Sequence, residues 1–149
     1  MKIRASLWLL ANMLIVTLIC LSMTTIIIII LFIIGWDFAW YLAGVKPLFP
    51  GHLKKLLKGQ RDRLTLIDVR TPREYNWFHI SGAVNKPELL TDINDLPAAS
   101  KEDPLVVICM TGHRSPPVAY RLKKQGFKKV YNLTWGMLAW KLFGMSKID

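Results

Sequence analysis

From Ala5 to Gly35 the chain carries no charged side chain, and Ile26 to Ile30 are five consecutive isoleucines. About 20 apolar residues in helical form cross the hydrocarbon core of a bilayer, and this run exceeds that. Two spans would need about 40 apolar residues plus a turn, so one span is expected, with a kinked hairpin as the alternative. A cleaved signal peptide fits poorly. Its apolar region is usually about 7–15 residues long, and no small-x-small cleavage site follows the run here. Trp8 stands at one end of the run and Trp36, Trp40 and Tyr41 at the other, where interfacial anchors belong. Trp8 and Trp36 are 28 residues apart, roughly 42 Å at the helical rise. A bilayer counted with its headgroup regions measures about 40–45 Å. Ser22 to Thr25 contains small residues but no G-x-x-x-G face, so helix pairing through it is left open.

The apolar run divides the chain into an anchor and interfacial segment over residues 1–45 and one domain over residues 46–149. Gly44 to Pro50 reads as a short linker, because Pro47 and Pro50 break helix. The domain is therefore expected close to the bilayer. Lys2 and Arg4 precede the span, whereas Lys46, Lys54, Lys55, Lys58, Arg61 and Arg63 follow it. The positive-inside rule then places the domain in the cytoplasm, a compartment that also keeps a thiol reduced. Cys20 falls within the span and cannot pair with Cys109, so no internal disulfide is expected. Without Lys2, Arg4 and Asp37, the 20 basic and 10 acidic residues become 18 and 9, a net +9 beyond the span. The clusters Lys54-Lys55-Lys58 and Lys123-Lys124 with Lys128-Lys129 suit a solvated face, anionic lipid headgroups, or the steering of small anions. Basic and aromatic residues are not interleaved as nucleic-acid binding would want, so no nucleic-acid partner is expected.

Within the domain, the chemistry gathers at Cys109. The segment Leu105-Val106-Val107-Ile108-Cys109 is an apolar, β-branched run that ends on a thiol. Met110, Thr111, Gly112, His113, Arg114 and Ser115 follow as a short loop, and Ser115-Pro116 opens a helix. Most free cysteine is protonated at neutral pH, since it titrates near pH ~8.5. Inward-pointing loop amides, a helix N-terminus and the Arg114 guanidinium all favour the thiolate and an anionic ligand. Ser115 is expected as the N-cap, with Pro116 in the first turn. Gly112 lets the loop turn tightly. His113 flanks the entrance, without a general-base role. A zinc site would want four ligands, and Cys109 with His113 is the one close Cys/His pair. No metal or cofactor is expected.

Strands are predicted at Leu64–Asp68, Ala83–Asn85, Leu105–Cys109 and Val130–Leu133. Helices are predicted at Pro50–Lys58, Pro72–Trp77, Ser115–Gln125 and Trp135–Leu142, with Gly126 closing the third. Glu88 to Asp103 reads as a short helix and a polar loop. Strands alternating with helices over short links give an α/β domain, a parallel sheet with helices on both faces. Its ligand site falls at the carboxyl end of a central strand. Asp68, Arg70, Arg73 and Glu74 lie at or just after a strand end on that side. Asp68 either orients the cysteine loop or pairs with an arginine, and the group as a whole could serve the fold alone.

The order of blocks resembles the rhodanese (sulfurtransferase) domain: Asp68-Val69-Arg70 with Glu74-Tyr75, His79-Ile80 with Gly82-Ala83, the cysteine loop, and Gly136-Met137 with Ala139-Trp140. The resemblance covers roughly Pro47 to Asp149. It implies a single rhodanese-like domain behind one transmembrane helix. It also implies that Cys109 is a nucleophile carrying a persulfide, with Arg114 beside it and Met110 to Ser115 as the substrate cradle. A small anionic donor such as thiosulfate would load the sulfur, and cyanide, a thiol or a protein acceptor would remove it. In that family a C-x4-R loop of this length goes with sulfur transfer, and the phosphatases of the same fold carry a longer one. Rhodanese-like modules without turnover also exist, so a membrane-tethered adaptor is the alternative. Phe78 stands where the family usually has glycine, and a packing role is expected for it.

Overall fold

The computed structural model describes residues 2–90, 92 and 100–143, with side chains at Thr17 and from Leu21 onward. Most of the polar loop expected between Glu88 and Asp103 lies outside the described residues, as do the side chains of Trp8 and Cys20. The chain forms two compact units, one up to Ala39 and one from Trp40. The first belongs to helix α1, Lys2–Leu42, whose stretch Leu21–Leu42 is long and apolar enough to cross a membrane. Apolar side chains from Ile26 to Phe32 are exposed along it. The hydroxyls of Thr24 and Thr25 donate to the Leu21 carbonyl and so need no outside partner.

The second unit contains strands β1 (Lys46–Leu48), β2 (Thr65–Asp68), β3 (Ala83–Asn85), β4 (Pro104–Ile108) and β5 (Lys129–Leu133). Helices α2 (Pro50–Gly59), α3 (Pro72–Trp77), α4 (Ser115–Lys124) and α5 (Gly136–Leu142) connect or follow them, with short 3₁₀ turns at Arg61–Arg63 and Pro87–Leu90. All pairings are parallel, in the order β1-β5-β4-β2-β3. This is an α/β fold built on a five-stranded parallel sheet.

Side-chain alternation decides which helices cover which face. In β4, Leu105 and Val107 join Val118, Ala119 and Leu122 of α4 in one core. Val106 and Ile108 join Leu53 and Leu57 of α2 and Met137 and Trp140 of α5 in the other. Each central strand is thus buried on both faces, which is why these strands read as continuous apolar runs rather than alternating ones.

Three details differ from the sequence reading. Lys46–Leu48, read as linker, is an edge strand paired to β5. An edge position tolerates Pro47, because the missing donor is not needed there. The last helix begins at Gly136, after Trp135 takes a left-handed backbone (φ 58°). Arg114, not Ser115, is the N-cap of α4, and no side chain caps that end. Ser115 is the first helical residue, and its hydroxyl is occupied elsewhere.

Candidate active site

Cys109 follows directly on β4, between the carboxyl ends of β2 and β5. It is fully buried, and its thiol is free. The Gly112 amide donates to Cys109 Sγ at 3.1 Å. Gly112 reaches that orientation with φ 85°, and a Cβ there would stand 2.8 Å from the Trp135 nitrogen. A backbone N–H aimed at the sulfur stabilises negative charge on it. Of the loop amides from Met110 to Ser115, the one hydrogen-bonded to the sulfur is that of Gly112.

The loop is held from three sides. From α5, the amides of Met137 and Leu138 donate to the carbonyls of Cys109 (2.9 Å) and Met110 (3.0 Å). Gly136 makes this approach feasible, since a Cβ there would lie 2.3 Å from the Cys109 carbonyl oxygen. From α3, Glu74 takes Arg114: Nη2 lies 2.6 Å from Oε1 and Nη1 3.3 Å from Oε2. Glu74 also accepts from the amide and hydroxyl of Thr71 and completes the capping box of α3. The hydrogen bond from Arg114, with those from Thr71, pulls the Glu74 carboxyl down to about 2 against the opposing effect of burial. The same pairing raises the already high pKa of Arg114. Arg114 is therefore a compensated cation, not a bare anion receptor.

The third support comes from β5. Asn132, almost fully buried, donates from Nδ2 to the Gly112 carbonyl at 3.1 Å. Its Oδ1 lies 2.6 Å from Ser115 Oγ, and Ser115 Oγ lies 3.2 Å from Cys109 Sγ. Sequence reading missed Asn132. The available signal was one amide side chain inside the apolar strand Val130–Leu133.

Asp68 and Arg70 are both fully buried and paired at 2.7 Å, and Arg70 Nη2 also donates to the Phe78 carbonyl at 2.7 Å. Of the two roles read for Asp68, the structure has the pairing with an arginine. The Arg70 guanidinium also lies 5.2 Å from the Phe78 ring centroid, and Lys141 Nζ lies 4.7 Å from it. Phe78 packs, as expected. Arg73 is exposed on α3. Thr111 is exposed, His113 is half-buried, and the His113 ring nitrogen lies 3.3 Å from the Thr111 hydroxyl. Met110 is half-buried against the α2–α5 core.

Comparison with known proteins adds three findings. The model of the rhodanese-like domain family matches residues 50–142. A Bacillus subtilis protein named as a sulfur carrier, YrkF, is 41% identical over 81 residues, 53% of this chain and 42% of that protein. The chain thus spans less than half the length of that relative. The thiosulfate sulfurtransferase GlpE of Coxiella burnetii is 34% identical over 91 residues, 60% of this chain and 83% of that protein. Among solved structures, a rhodanese-like domain protein from Staphylococcus aureus aligns with a TM-score of 0.57 at 28% identity, over 64% of this chain and 91% of that one.

Proposed function

The chain belongs to the rhodanese-like domain family, and from that premise we propose that it is a membrane-anchored sulfurtransferase whose Cys109 carries sulfane sulfur as a persulfide. The observation that carries this reading is the Gly112 N–H directed at Cys109 Sγ, 3.1 Å away at the end of the central strand. In the first half-reaction the Cys109 thiolate attacks the outer sulfur of a donor such as thiosulfate. A Cys109 S–S bond forms, the donor's own S–S bond breaks, and sulfite leaves with the electron pair. In the second, a thiolate or cyanide attacks the terminal sulfur, and the electron pair of the broken bond returns to Cys109. Negative charge leaves Cys109 Sγ in the first step and returns to it in the second, so the Gly112 N–H supports the thiolate that starts and ends the cycle. With anionic nucleophiles neither step requires a proton transfer, which leaves His113 at the entrance without a general-base role. Arg114 anchors the loop on α3 through Glu74, which compensates its charge. Met110, Thr111, Gly112, His113 and Ser115 form the cradle.

Helix α1 serves as a single-pass anchor, with the domain on the cytoplasmic side, where the excess of Lys and Arg after the span directs it. The basic clusters beyond the span then face anionic headgroups. The acceptor is a small thiol or a partner protein's thiol. A second reading, an adaptor that binds a partner without turnover, draws on the full burial of Cys109.

Intact-mass analysis of the detergent-solubilised chain after thiosulfate decides between them. Gain of one sulfur, absent in Cys109→Ser and reversed by cyanide, is expected. No gain on folded protein with reduced Cys109 would sink thiosulfate as the donor and leave a protein persulfide donor or the adaptor reading. Partner binding that survives Cys109→Ser without sulfur transfer in the wild type would favour the adaptor.

A further inference from the structure

The hydrogen bonds behind Cys109 have a fixed polarity. The Gly112 carbonyl can only accept, so the Asn132 atom 3.1 Å from it must be the amide nitrogen. That orientation turns Oδ1, also an obligate acceptor, toward Ser115 Oγ at 2.6 Å. Ser115 has one hydroxyl proton, and a buried acceptor at this distance claims it. What Ser115 presents to Cys109 Sγ, 3.2 Å away, is then a lone pair. In the resting site the thiol S–H can donate to Ser115, Ser115 to Asn132 Oδ1, and Asn132 Nδ2 to the Gly112 carbonyl.

We propose that Asn132 is a positioning residue that tunes Cys109 by withholding the Ser115 hydroxyl from the sulfur. When the thiolate forms, the thiol proton leaves to solvent. Ser115 then turns its O–H from Asn132 Oδ1 to Sγ, and Asn132 Oδ1 loses its donor. That buried acceptor left without a partner sets the cost of activation. Gly112 N–H acts in the opposite sense, so the loop balances one fixed donor against one withheld donor. The charged and titratable groups around this end of the sheet are Arg114 and His113 on the loop, Glu74 on α3, and the Asp68–Arg70 pair at the end of β2. From α4 and β5, Ser115 and Asn132 face the site as neutral groups.

This inference rests on Cys109 being the reacting group of the proposed function, but its test does not need sulfur transfer. The test is the pH profile of Cys109 alkylation by iodoacetamide, read at the Cys109 peptide by mass spectrometry on the full detergent-solubilised chain. Asn132→Ala frees the Ser115 hydroxyl, so the alkylation midpoint is expected to fall by about half to one pH unit, roughly three- to tenfold more thiolate below the midpoint. The same change made in a Ser115→Ala background is expected to lower nothing. A purely structural role, loosening the loop through Gly112, would leave the midpoint in place or raise it, and either result overturns the proposal. Should Asn132→Ala not fold, the near-isosteric Asn132→Leu likewise removes the Oδ1 acceptor and is expected to lower the midpoint; an unmoved or raised midpoint overturns the proposal equally. Sulfur uptake from thiosulfate is recorded on the same samples. A lowered midpoint without uptake upholds Asn132 and sinks only thiosulfate transfer, whereas normal uptake with an unmoved midpoint sinks Asn132 alone.

Discussion

Arg114 Nη2 lies 2.6 Å from Glu74 Oε1, across forty positions of sequence. This pair fastens the last residue of the cysteine loop to the first turn of α3. Because Glu74 also caps that helix through Thr71, one carboxylate serves two elements at once.

The pair makes part of the stability depend on acid. The folded Glu74 carboxyl titrates at about 2, below its ordinary 4.5. Its contribution is therefore complete above about pH 5 and is lost as pH falls through about 2. Both side chains are partly exposed, which limits the ionic share to about 0.5–1 kcal/mol. Glu74→Gln is expected to cost that much at pH 7, and the gap to wild type should shrink by pH 3. Urea unfolding at the two pH values measures it; a gap that stays constant would show that the charge contributes nothing.

Gly136 has φ 57°, and a Cβ there would lie 2.3 Å from the Cys109 carbonyl oxygen and 2.6 Å from that of Met110. Neither obstacle is a side chain that can swing away. Gly136→Ala is expected to destabilise the domain by about 2–4 kcal/mol and to cut sulfur uptake at Cys109. Gly51→Ala is the control, since an added Cβ there meets nothing within 4 Å; it should be neutral or slightly stabilising. Thermal unfolding of both variants checks the contrast, and equal melting points would refute it.

Arg70→Met leaves Asp68 buried with its ion-pair partner gone. Asp68 Oδ1 and Oδ2 both accept from the Arg70 side chain. Removing one member of a buried pair costs about 3–5 kcal/mol, because the other charge remains uncompensated. Adding Asp68→Asn should recover part of that loss. Chemical denaturation of the single and double variants tests the coupling, and additive losses would mean the two residues act independently.

Phe78 stands between two cations, Arg70 at 5.2 Å and Lys141 at 4.7 Å from its ring centroid. Phe78→Leu keeps an apolar side chain but removes the ring face. A loss of about 0.5–1.5 kcal/mol is expected. The effect should vanish in a background carrying both Arg70→Met and Lys141→Met, as a triple-variant unfolding series would show. Persistence of the full loss would assign Phe78 to packing alone.

The apolar run from Ala5, the strands ending at Asp68 and Ile108, and the helix from Ser115 were legible because each is written in neighbouring residues. Backbone geometry converts local patterns directly: an uninterrupted apolar helix, a β-branched run, a proline in a first turn. The cysteine and the loop after it were legible for the same reason, since Cys109 to Ser115 are contiguous. β1 was not, because Lys46-Pro47-Leu48 becomes a strand only when β5 offers it a parallel partner. Nor was the use of Ser115, whose local chemistry says N-cap. Burial beside Cys109 Sγ and Asn132 redirects its hydroxyl.

The sequence by itself determined most of the elements, the order of the blocks and the place of Cys109 at the end of a strand. The tertiary structure alone decided the partners: Glu74 for Arg114, Arg70 for Asp68 with Phe78 over it, and Asn132 for Ser115 and Gly112. The division follows from parallel strand pairing. Adjacent parallel strands must be joined by long crossovers, so the residues that meet at their carboxyl ends come from distant parts of the chain. Such encounters are fixed by sheet order and register, not by anything written beside the residues themselves.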